Sequence, residues 1–333
     1  MEEREQEQND LKYFITVAEL GNLLGISTAE VARDLQKMGL DEFIPGSRKG
    51  LRPGQARNYL TAKGTKYEST VVAHINMKGG IGKTTTTITT ATRAAQYGFK
   101  TCILDLDPQA SSSLAFDKMP EDGDPIFCDV WQNPASILIN SLKKIQEDLY
   151  ILPSSLENSL LDLSLINPGS QKNAVKGVCA ELQKHGFDLV LIDCPPSLGT
   201  AVISSICAAD VIIIPVGSDA FSIKGLELTL NEISSISDTF NLPLPRIKIL
   251  YTKFDKREAI TTDTLQRLSK NYPDFLFPVA IRTSTDFSKA LARRETVFAS
   301  GRKSSGKEDY DIYVRHLLGM PRPKQTRKAN GRK

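Results

Sequence analysis

The chain has 333 residues, of which 40% are hydrophobic, enough for a substantial core in one large domain, or in one large and one small domain. The formal net charge is only +3, yet two stretches are basic without any acid: 46–66 (Arg48, Lys49, Arg52, Arg57, Lys63, Lys66) and 321–333 (Arg322, Lys324, Arg327, Lys328, Arg332, Lys333), a distribution that suits either polyanion contact or a solvated surface. Five cysteines lack paired spacing, the N-terminus lacks an apolar signal core, and no run is long enough to span a bilayer. These features argue against a disulfide scaffold, a secreted protein and a membrane protein, so a cytoplasmic protein is expected.

Residues 1–10 are charged and polar, and disorder is expected there. Thr16 to Glu19 and Ser27 to Glu30 each match a capping box, so two short helices begin there. Leu20, Leu23 and Leu24 give the first an apolar face. Gly25-Ile26 makes the turn, and the second helix directs Val31, Leu35 and Met38 inward before Gly39. This pattern resembles a helix-turn-helix, with an ordinary helical hairpin as the alternative. On the first reading Ser27, Thr28, Glu30, Arg33 and Lys37 face outward. The basic stretch that follows (Arg48, Lys49, Arg52), with a short helix over 53–62, then belongs to the same DNA-binding unit at 11–66. Residues 64–70 read as a polar linker, and 70–318 as the main domain.

That domain is organised around 71–85. A β-branched run (Val71, Val72, Ile75) stops at Asn76, and Gly79, Gly80 and Gly82 precede Lys83-Thr84-Thr85. This reads as strand, tight loop and helix start. Glycines let successive N–H groups point at phosphate oxygens, and the helix N-terminus adds its positive dipole end. Lys83 is placed to reach β/γ-phosphates and the Thr84 hydroxyl to ligate Mg²⁺. Met77 takes the place of the usual first glycine, and a second lysine, Lys78, stands before Gly79.

A threonine-rich helix from 83 to 97 follows, capped by Gly98, then a strand over 101–105 that runs into Leu106-Asp107-Pro108-Gln109. Strand-end carboxylates such as Asp105 and Asp107 can position a metal ion or water, or simply cap the next turn. Residues 117–136 read as a surface connection, 149–152 as a strand and 171–185 as a helix closed by Gly186. The apolar strand ending at Asp193-Cys194-Pro195-Pro196 is a Walker B pattern, which assigns Asp193 to Mg²⁺ through a water. Further strands are expected at 210–216, 246–252 and 277–282. Helices are expected at 222–240, after 282 (carrying Lys289, Arg293 and Arg294) and at 307–318, before a basic tail over 319–333. The sum is a doubly wound, mainly parallel α/β sheet preceded by a small all-helical DNA-binding domain.

The Lys78-Gly79-Gly80-Ile81-Gly82-Lys83-Thr84-Thr85 stretch is a deviant Walker A motif, and with 107 and 193 it resembles the ParA/MinD family of P-loop ATPases over residues 70–318. The resemblance implies a slow ATPase that uses ATP and Mg²⁺ and closes into an ATP-sandwich homodimer. It makes Lys78 a contact to the partner's nucleotide and Asp107 a residue that helps activate water. It also implies that Lys289, Arg293 and Arg294 lie on a non-specific DNA surface, that a ParB-type partner stimulates hydrolysis, and that the protein sits on the nucleoid. The helix-turn-helix ahead of this domain resembles the plasmid-type ParA proteins, which bind operator DNA. A nucleotide-regulated repressor and a MinD-like positioning ATPase for other cargo are the alternatives. The tail lacks the apolar residues of a membrane-targeting helix.

Overall fold

The computed structural model describes residues 11–40, 49–219 and 222–321. The strands are β1 (Ile15–Thr16), β2 (Gly50–Leu51), β3 (Thr70–His74), β4 (Thr101–Asp105), β5 (Lys143–Gln146), β6 (Leu149–Leu152), β7 (Leu189–Asp193), β8 (Val211–Val216) and β9 (Arg246–Tyr251). The helices up to the middle of the chain are α1 (Val17–Leu24), α2 (Thr28–Lys37), α3 (Pro53–Ala62), α4 (Lys83–Gln96), α5 (Ser111–Ala115), α6 (Phe127–Val130), α7 (Pro134–Ser141) and α8 (Leu161–Ser164). After them come α9 (Pro168–Lys184), α10 (Thr200–Ala208), α11 (Ser222–Thr239), α12 (Ala259–Asn271), α13 (Thr285–Leu291) and α14 (Ser305–Leu317).

Seven strands form one sheet in the order β5-β6-β4-β7-β3-β8-β9, parallel except for the edge strand β5. Its central strands are apolar on both faces, and alternation divides them between two cores. Val72, Ile103, Leu189, Leu191 and Ile213 join one cluster with α4 and α14. Val71, Ala73, Leu104, Val190, Ile192 and Ile212 join the other, beneath α9, α10 and α11. Register then brings chemistry to one edge. His74 pairs with Asp193, and Asp193 with Asp105, so the C-terminal ends of β3, β7 and β4 finish level.

Helix α4 is held by its surroundings rather than by intrinsic propensity. Its buried threonines return their hydroxyls to carbonyls one turn back (Thr87 to Lys83, Thr90 to Thr86, Thr92 to Ile88). They also bond sideways: Thr86 to the Tyr310 hydroxyl at 3.0 Å, Thr92 to Thr296 at 2.9 Å and Thr87 to His74 Nδ1 at 3.0 Å.

Four expectations are corrected. The N-terminal unit is not all-helical, because β1 and β2 pair antiparallel. Gly50 permits this: a Cβ there would lie 2.5 Å from the Phe14 ring and 2.8 Å from the Ile15 carbonyl oxygen. Residues 277–282 are not a strand. They run extended beside β9 through isolated bridges (Ile249 with Leu276, Phe254 with Arg282), and Pro278 has no N–H to offer a ladder. The stretch 117–136 contains α6, whose Phe127 and Val130 are buried. Finally, α13 ends at Leu291, so Arg293 and Arg294 lie beyond it, Arg294 with φ +54°. The expected disorder at 1–10 and most of the basic tail lie outside the described residues.

The N-terminal residues share their core with the main domain. Ile15, Leu20, Val31, Leu35, Leu51, Tyr59 and Leu60 are continuous with Ile88, Ala91 and Ala95 of α4. Polar ties reinforce the junction. Arg57 donates to Asp188 at 2.5 and 3.1 Å and to the Gly98 carbonyl at 2.9 Å, and Gln146 exchanges two hydrogen bonds with the Tyr13 backbone. The linker is tied down as well, with the Tyr67 ring tilted against Phe99 at 4.5 Å between centroids and its hydroxyl donating to the Tyr97 carbonyl.

Candidate functional site

The loop between β3 and α4 needs two backbone conformations that side chains resist, and glycine supplies both: Gly80 at φ +73° and Gly82 at φ +95°. Around them the loop is braced. Asn76 is buried, donating to the Pro215 carbonyl at 2.9 Å and accepting from the Lys78 N–H at 2.9 Å. Thr252, at the end of β9, donates to the Ile81 carbonyl at 2.8 Å. The Ile81 side chain is itself buried, so both its side chain and its carbonyl anchor the loop. Gly82 stands at the N-cap of α4 and Lys83 opens that helix.

Lys83 is buried, with Nζ donating to the Lys78 carbonyl at 2.9 Å. Burial lowers its pKa, while Asp193, Cys194 and Asp107 pull it back up. Gly79, Gly80, Gly82 and Lys83 line a crevice of about 700 Å³ together with Thr84, Thr85, Asp107 and Gln109, a size suited to a nucleotide.

The three aspartates sit in different environments. Asp105 is fully buried, and its Oδ2 accepts from the Ser113 N–H at 2.8 Å and hydroxyl at 2.7 Å. Burial, with the Asp193 charge next, pushes its pKa well up, so it acts as a tie to the start of α5. Asp107 lines the crevice, and among the described residues its Oδ1 accepts the local Gln109 N–H, at 2.9 Å. Asp193 is fully buried. Burial lifts its pKa to about 6 against the Ser112 and Thr84 hydroxyls. Its Oδ2 accepts from Ser112 at 2.7 Å, whereas Oδ1 has no hydrogen-bond partner among the described residues. An orphaned carboxylate oxygen beside a threonine hydroxyl fits Mg²⁺, which binds through few protein oxygens and keeps several waters.

Lys78 is not directed at this crevice's phosphate loop but is ion-paired with Asp219 of its own chain, just after β8. Sequence reasoning passed over Asp219, Ser112 and Lys253. The first two lie in loop and serine-rich stretches without a motif, and Lys253 (φ +57°) follows a strand end and lines the crevice without belonging to any pattern.

The candidate DNA contacts divide. Thr28, Arg33 and Lys37 are exposed on α2, and Lys49 is exposed beside it, while Arg52 caps α3. Arg48 lies outside the described residues. Lys289 and Arg293 line one small crevice of about 330 Å³. Arg294 is separated from them: it pairs with Asp117 and borders the nucleotide-sized crevice. No helix among the described residues is long and apolar enough to cross a membrane.

Residues 69–249 match a family model described as an AAA domain. Among curated proteins the chain is similar to the cell division protein PomZ of Myxococcus xanthus, with 27% identity over 90% of this chain and 91% of that one. It is also similar to the sporulation initiation inhibitor protein Soj of Bacillus subtilis (27% identity, 72% of this chain, 94% of that one) and to the chromosome partitioning protein ParA of Caulobacter vibrioides (24%, 78% and 97%). Among solved structures, an ATP complex of McdA from Cyanothece shares the fold, with a TM-score of 0.69 at 19% identity, covering 78% of this chain and 99% of that one.

Proposed function

Because the chain belongs to the AAA-domain family of ParA-type ATPases, we propose that it is a DNA partition ATPase whose nucleotide state controls DNA binding. The observation that carries this reading is the convergence of Lys83, Thr84 and Asp107 on one crevice, with the unpartnered Asp193 oxygen buried beside them.

ATP is the substrate. The N–H groups of 79–82 and the N-terminus of α4 take its phosphates, and Lys83 neutralises the β/γ oxygens. Thr84 and Asp193 are the residues that would hold Mg²⁺, which supplies charge neutralisation on the phosphates when bound. Asp107 orients the attacking water. Lys78 must leave Asp219 to reach a partner subunit's nucleotide, so dimer closure exchanges an ion pair within the chain for one between chains. The closed homodimer binds DNA without sequence preference. A ParB-type partner stimulates an otherwise slow hydrolysis, keeping the protein on the nucleoid only while ATP lasts, and the N-terminal unit binds operator DNA. The similarity to PomZ over 90% of this chain supports a second reading, a positioning ATPase for cargo other than a plasmid.

The test is binding to a long random-sequence duplex with ATP, ADP or no nucleotide at two salt concentrations, beside Lys83→Ala and Lys78→Ala. Salt-sensitive binding only with ATP, lost in both variants, is the expected result. Binding that ignores nucleotide and survives both changes would point instead to a repressor acting through its N-terminal unit. No binding in any state would move the search to a protein cargo.

A further inference from the structure

Two crevices outside the nucleotide site meet at one loop. The larger, about 800 Å³, is lined by Thr28, Ala29 and Ala32 of α2, by Lys49, and by Gly301, Arg302 and Lys303. The smaller, about 330 Å³, holds Lys289, Arg293 and Ser300. Arg302 and Ser304 line both.

The charges around this loop are not equivalent. Lys307 is spent on Glu19 and Arg315 on Asp311, Arg293 lies 3.3 Å from Glu295, and Arg294 pairs with Asp117. Glu308, an exposed acid lining the larger crevice, is 3.6 Å from Arg282, and Asp286 accepts from Ser284. Among the described residues Lys289, Arg302 and Lys303 have no carboxylate partner, and the Arg302 backbone N–H donates to the Ser300 hydroxyl at 3.1 Å. Uncompensated cations at 289, 302 and 303 therefore lead from the basic face to the helix of the helix-turn-helix pattern. That helix contributes small side chains, Ala29 and Ala32, to the crevice that Arg302 and Lys303 also line. A helix seated by its N-terminal residues in a major groove is flanked by phosphates on either side, and cations lining the same crevice as that helix are available to such a strand.

We propose that loop 300–304 is a DNA-backbone clamp: Arg302 and Lys303 hold the phosphates of the duplex whose groove α2 enters, and they join that contact to the basic face at 289–293, so that one duplex occupies both. The inference rests on the DNA-binding reading above, extending it to two residues that neither the helix-turn-helix pattern nor the family resemblance assigns.

The experiment compares the full chain with Arg302→Ala/Lys303→Ala and with a charge-matched control, Arg267→Ala/Lys270→Ala on α12. Binding is measured to a random duplex and to the duplex lying upstream of the protein's own coding sequence, across a salt series in ATP. Each phosphate contact adds about 0.9 to the slope of log affinity against log salt. The loop variant is expected to lose about 1.8 of that slope, and roughly tenfold or more in affinity, on both duplexes, with DNA-free ATP turnover and the thermal midpoint unchanged. Slopes equal to those of the control on both duplexes overturn the clamp. A loss confined to one duplex overturns the joined track. A wild-type chain that binds neither duplex sinks the DNA reading itself, an outcome separate from the other two.

Discussion

At residue scale, the site is a set of groups held ready but incompletely satisfied. Asp193 keeps one oxygen without a partner at the cost of burying a carboxylate, a defect expected where an ion completes the set. Asp193→Asn is expected to abolish Mg²⁺-dependent phosphate release by 10²-fold or more while raising the thermal midpoint slightly in metal-free buffer, because a buried charge is removed. Unchanged turnover in Mg²⁺ would remove Asp193 from the metal assignment. Asp219→Ala tests the other poised group. With Lys78 released, ATP-dependent dimerisation, followed by light scattering, is expected at lower protein concentration. A dimerisation curve identical to wild type would make the Lys78–Asp219 pair irrelevant to closure.

At the scale of elements, the parts legible in the sequence were those whose chemistry is local. The glycines at 79–82, the apolar run into Asp193 and the capping boxes at Thr16 and Ser27 each carry their own signal, and the last two form as expected, with Glu19 and Glu30 reaching back to their caps. Elements defined by neighbours were not legible. β5 (Lys-Lys-Ile-Gln) is polar and short, and is a strand only because β6 offers an edge. The pair β1–β2 joins residues some 35 positions apart, a separation that no local pattern reports. The segment 277–282 had strand composition but lacked the donor at Pro278. α10 and α12 went unread because their apolar positions are diluted by serine and threonine. Gly98 shows how tightly such elements are fitted: at φ +84° its missing Cβ would lie 2.6 Å from the Arg57 backbone N. Gly98→Ala therefore strains the turn after α4 and pushes α3 away. The expected loss is about 1–3 kcal/mol from the backbone conformation alone, read as a lower urea midpoint at unchanged m-value. An unshifted midpoint would mean that α3 yields freely.

On the scale of the whole molecule, a buried charge network joins the N-terminal helices to the nucleotide-binding domain. Arg93, on α4, is 1% exposed; it meets Asp311 of α14 at 2.6 Å and Glu19 of α1 at 3.4 Å. Arg93→Met would leave two carboxylates facing inward, and a loss of about 3–5 kcal/mol is expected. Glu19 gives the same junction a pH signature. Burial opposes its charge, but Arg93 and Lys307 outweigh it and the pKa falls to about 2, from 4.5. In that window the unfolded chain binds the proton more readily, so the stabilisation is present above about pH 4.5 and is lost as pH falls toward about 2. The stability gap between wild type and Glu19→Gln is expected to close across that interval, and a gap that stays constant would show that the carboxylate's charge is not what matters.

The same junction turns the protein into a pair of calipers. The helix that would enter DNA is packed on the domain that begins its own first helix at the phosphate loop, with no slack linker between them. Were two copies to close over nucleotide as proposed, the distance between the two helices proposed to read DNA would be set by that closure. Operator half-sites at the matching separation, a whole number of turns of about 34–36 Å, would fit the closed pair, and a different nucleotide state would measure a different interval. Spacing along the duplex, rather than base sequence alone, then becomes the variable through which ATP is read out on DNA.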